Sequence, residues 1–110
     1  MSEVVNLTPH PIRVADKDGN IVAVFPPSGL VARVATTAEV VAHIGDIPVV
    51  RTTFGEVAGV PDPKDGVVYI ASTLVAQALR RRDVVSPDTG PTALREGGQV
   101  VAVRGFQTFA

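Results

Sequence analysis

The sequence predicts a mainly β domain, a β-barrel or sandwich of six to eight short strands, with one α-helix near residues 73–82. Three observations predict it. The apolar residues are mostly Val and Ala, with four Phe, one Tyr and no Trp, and a branched Cβ suits a pleated strand better than a helix. Gly and Pro recur roughly every eight to twelve residues, the spacing of short strands joined by turns. Only the stretch near 73–82 pairs a capping side chain with a convincing helical apolar stripe. A length of 110 residues fits one core, so residues 1–110 read as a single β-rich domain.

Ile12–Ala15 and Ile21–Phe25 flank Asp16-Lys17-Asp18-Gly19-Asn20, whose Asp-Gly and Gly-Asn content supplies the positive φ that a hairpin needs. Pro26-Pro27-Ser28-Gly29 reverses the chain into a strand over Leu30–Ala35. There Leu30, Ala32 and Val34 share one face and Arg33 takes the other. Thr36–Ile44 has two readings. Thr36-Thr37-Ala38-Glu39 matches a helix capping box, but Val40–Ile44 against Ile47–Thr52 makes a hairpin about a Gly45-Asp46 turn of type II′. The hairpin is preferred, because Val-Val is poor in a two-turn helix.

Gly55–Gly66 reads as a loop, and Val67–Ala71 as a strand buried on both faces. Ser72 or Thr73 then caps the helix, with Leu74, Val75, Ala78 and Leu79 as its apolar stripe. Arg80, Arg81 and Arg82 fall in its last turn, where the helix dipole favours cations. A closing hairpin runs from Ala93 through Glu96-Gly97-Gly98 to Phe106.

The chain has no cysteine, which removes disulfides, thiolate metal sites and a Cys nucleophile together. A net charge of −1 gives no field to hold a phosphate backbone, so non-specific nucleic-acid binding is not expected. Met1–Asn6 lacks a basic, apolar leader, and no apolar run reaches the ~20 residues of a membrane span. The expectation is a soluble cytoplasmic protein.

Asn6-Leu7-Thr8-Pro9-His10-Pro11, Pro27-Ser28-Gly29 with Ala32-Arg33-Val34, Tyr69-Ile70-Ala71-Ser72, Arg82-Asp83-Val84 and Pro87-Asp88-Thr89 carry a resemblance over nearly the whole chain. It resembles a small uncharacterised protein family of actinobacteria and of their tailed phages and prophages. The resemblance implies no activity. It implies a context of phage accessory proteins that act by binding a host protein or a nucleotide signal of antiviral immunity, in the host cytoplasm where the gene is phage-borne.

Asp88-Thr89-Gly90 is the tripeptide of retroviral-type aspartic proteases, but here it follows Ser86-Pro87 and precedes Pro91, so it reads as a turn. His10 and His43 stand at no metal-ligand spacing, and no motif requires a cofactor. No nucleophile motif supports a hydrolase. Asn6, Thr8 and His10 would alternate on one face of an extended segment and offer hydrogen bonds to a polar ligand. Eight of the ten cationic residues are Arg, and Arg13, Arg33, Arg51 and Arg104 lie inside expected strands. Arg grips phosphate bidentately, although a GC-rich genome also writes Arg over Lys.

The expected ligand-binding set is Arg33, Asn6, Thr8, His10, Ser28, Gly29, Arg51 and Arg104. The leading expectation is an accessory protein that sequesters a small anionic, nucleotide-like molecule without catalysis. A protein-interaction or virion-associated module, meeting a host or phage protein, is the alternative. A small hydrolase comes last. Val-rich strands on a small core also predict a homodimer or other homo-oligomer.

Overall fold

Short Val-rich segments with a turn residue at each end pair locally, and this accounts for most of the elements in the computed structural model, which describes residues 3–110. Met1 and Ser2, which open the stretch read as lacking a leader, lie outside it. The elements are β1 (Glu3–Asn6), β2 (Ile12–Ala15), β3 (Ile21–Phe25), β4 (Arg33–Ile44), β5 (Ile47–Ala58), β6 (Val67–Ile70), α1 (Thr73–Leu79), β7 (Val84–Pro87), β8 (Leu94–Glu96), β9 (Gln99–Ala102) and β10 (Phe106–Gln107). The protein is therefore mainly β with one helix, as expected. Among the described residues the strands exceed the expected six to eight, and they form several small sheets without a closed barrel.

The central sheet has the order β1-β6-β7-β10, parallel except for β10. Parallel neighbours need a crossover of a dozen or more residues, and α1 supplies it between β6 and β7. Tyr69 and Ile70 in the second strand of this sheet are buried, as the continuous apolar run of β6 predicts. They and Leu7, Ala71, Val75, Ala76 and Val84 make up most of the core.

Ser72 caps α1, its hydroxyl accepting the Val75 N–H at 3.3 Å. The buried face differs from the expected stripe: Val75 and Ala76 face the core, whereas Leu74 is 49 % exposed. The arginines also leave the helix. Arg80 takes a left-handed conformation (φ 51°, ψ 37°) and donates its N–H to Ala76 O, so α1 ends at Leu79 before any cation. Arg81 then turns back to hold Asp83 in a fork (Nε–Oδ1 2.9 Å, Nη2–Oδ2 2.6 Å) and donates to Pro61 O at 3.1 Å. This fork ties the start of β7 to the loop before β6, and it pulls the Asp83 carboxyl below its ordinary pKa.

The β2–β3 hairpin forms with its loop at Asp16–Asn20, where the Asp16 carboxylate accepts the N–H groups of Asp18 and Asn20. β8 and β9 pair across Gly97-Gly98, both at positive φ as a type I′ turn requires. Val103 joins these hairpins: its N–H donates to Arg13 O and its carbonyl accepts from Ala15.

The largest departure is β4–β5. The expected strand at Leu30–Ala35 and the expected hairpin beyond it are one ribbon, two strands of 12 residues each. Leu30, expected to open the strand, lies before it and is 54 % exposed, and Gly55–Ala58, expected as loop, belong to β5. The turn is as expected, with Gly45 at φ 62° followed by Asp46. At the other end Gly59 (φ +84°) passes so close to the Val31 carbonyl that a Cβ would sit 2.5 Å from it, which locks the base of the ribbon.

Candidate functional site

Asn6 ends β1 with 1 % of its surface exposed. Its Nδ2 donates to His10 O (2.8 Å) and Phe25 O (2.9 Å), while its Oδ1 accepts from Thr8 N (2.9 Å) and Thr8 Oγ1 (2.7 Å). The amide has two donors and one oxygen with two lone pairs, so its capacity is filled. The Asn6 carbonyl accepts the N–H and the hydroxyl of Ser28 at 3.0 and 2.7 Å, and Gly29 turns the chain at φ +97°. Asn6, Thr8 and Ser28 thus join β1, the lead-in to β2 and the end of β3. They do not form an open polar face. His10 contributes its carbonyl to this corner, and its ring lies on an exposed residue.

The strand arginines do not converge. Arg33 is exposed at the base of the ribbon, and Arg51 lies opposite Glu39 in mid-ribbon. Glu39, the partner of Arg51, lies six residues along β4 from Arg33, about 20 Å at ~3.3 Å per residue. Arg104 follows β9 on another part of the fold. Arg13 was not in the expected ligand-binding set, yet it lines a groove of about 360 Å³ between the β2–β3 and β8–β9 hairpins, together with Ile21, Leu94 and the opposing charge of Glu96. No sequence signal places β8–β9 beside β2. Asp88 accepts the Gly90 N–H at 3.0 Å in a local turn, and Arg95 clamps the Thr89 and Gly90 carbonyls. Among the described residues no three His, Asp or Glu gather to hold a metal ion, and no helix is long and apolar enough to cross a membrane.

The feature that composition hid is the β4–β5 arm. Its base packs on α1, and Val34 and Val57, a cross-strand pair, rest against the core. Beyond them every residue from Ala35 to Glu56 is exposed except the half-buried Val49. The face that starts at Val34/Val57 continues through Thr36/Phe54 and Ala38/Thr52 to Val40/Val50. Along it Phe54, Val40 and Val50 are 37 %, 53 % and 54 % exposed. The projection shows in the dimensions: the radius of gyration is 16.2 Å, against ~13 Å for a compact chain of this length.

The class is thus a mainly β protein with a parallel β-α-β unit at its centre and a two-stranded arm projecting from it. Compared with family models, curated proteins and solved structures, the chain matches none.

Proposed function

We propose that the protein acts by non-catalytic binding of another protein chain, and that the β4–β5 arm is the element that binds. The observation that carries this is the apolar face that runs out of the core along the arm. An isolated two-stranded hairpin is marginal in water at best, and this one extends well past the last core contact. Covering Val40 and Val50, 53 % and 54 % exposed, and Phe54, 37 % exposed, would recover on the order of 1 kcal/mol apiece. A free surface gains nothing from holding them.

Sequestration of a small anionic ligand finds less support, since Arg33 and Arg51 are too far apart along the arm to grip one small anion together. Binding a chain also fits the accessory role that the phage-type resemblance implies.

The test is Val40→Thr with Val50→Thr, which keeps β-branching while removing apolarity. If the face exists to bind, the double variant at sub-micromolar concentration melts within about 2 °C of wild type. A loss of 5 °C or more would assign the face to the fold and overturn the reading.

A further inference from the structure

No further inference is drawn: the strongest candidate, the groove between the β2–β3 and β8–β9 hairpins lined by Arg13, Ile21, Leu94 and Glu96, carries nothing because both of its charged residues are exposed and nothing in the structure shows what fills it.

Discussion

Replacing Asn6 by Ala removes a buried amide that makes four hydrogen bonds, two as donor to the His10 and Phe25 carbonyls and two as acceptor from Thr8. Each such bond contributes about 1 kcal/mol net, so the gross loss is about 4 kcal/mol. Thr8 Oγ1 already lies 3.0 Å from His10 O and can donate there once Asn6 is gone, returning about 1 kcal/mol. The expected loss is therefore about 3 kcal/mol. For a domain of this size that lowers the melting temperature by roughly 12–24 °C. Asn6→Asp keeps the acceptor but replaces the donor with a buried charge, and should cost at least as much at neutral pH. Urea titration followed by circular dichroism reads both variants. A loss below about 1 kcal/mol for Asn6→Ala, at unchanged denaturant slope, would refute Asn6 as the tie between β1, β2 and β3.

In α1, Val75→Ala should cost about 2 kcal/mol and Leu74→Ala less than about 1, the reverse of what their sizes suggest, because Val75 is buried and Leu74 half exposed; thermal melts compare them. The Arg81–Asp83 fork joins side chains only 23 % and 20 % exposed, and Asp83→Asn should cost about 1 kcal/mol at pH 7. The folded pKa of Asp83 is depressed, so this contribution is complete above the unfolded value near ~4 and is lost as pH falls below it. The gap between wild type and Asp83→Asn should therefore close on acidification below about pH 4, as urea midpoints at several pH values would show.

Elements whose causes are local were legible in the sequence. The Asp-Gly-Asn loop between β2 and β3, the Gly45-Asp46 turn, the Gly97-Gly98 turn and the Ser72 cap each depend on side chains or φ preferences within a few residues. Elements whose causes are distant were not. The parallel pairing of β1, β6 and β7 is set by partners more than 60 residues apart for β1 and β6, and nothing in Val4-Val5 or Val67-Val68 specifies strand direction. Leu74 and Ala76 exchanged places because a seven-residue helix offers two apolar arcs, and the sheet chooses one. Asn6 and Thr8 have the chemistry of ligand-binding side chains, and only the fold brings the carbonyls of His10 and Phe25 to them. The arm was hidden because a Val/Thr ribbon reads as core strand until its faces are seen uncovered.

Amide hydrogen exchange on the dilute chain, at sub-micromolar concentration, tests most directly whether the arm stands free of its own body. The amides of Tyr69, Ile70 and Ala71 donate into the central sheet or to its flanking carbonyls and should exchange only on global opening. Those of Thr36–Ile44 and Val49–Phe54 should exchange at least a hundredfold faster, slowing when a chain covers them. Arm amides as protected in dilute solution as those of β6 would contradict the account, because the arm would then be held by the fold and have no face to offer.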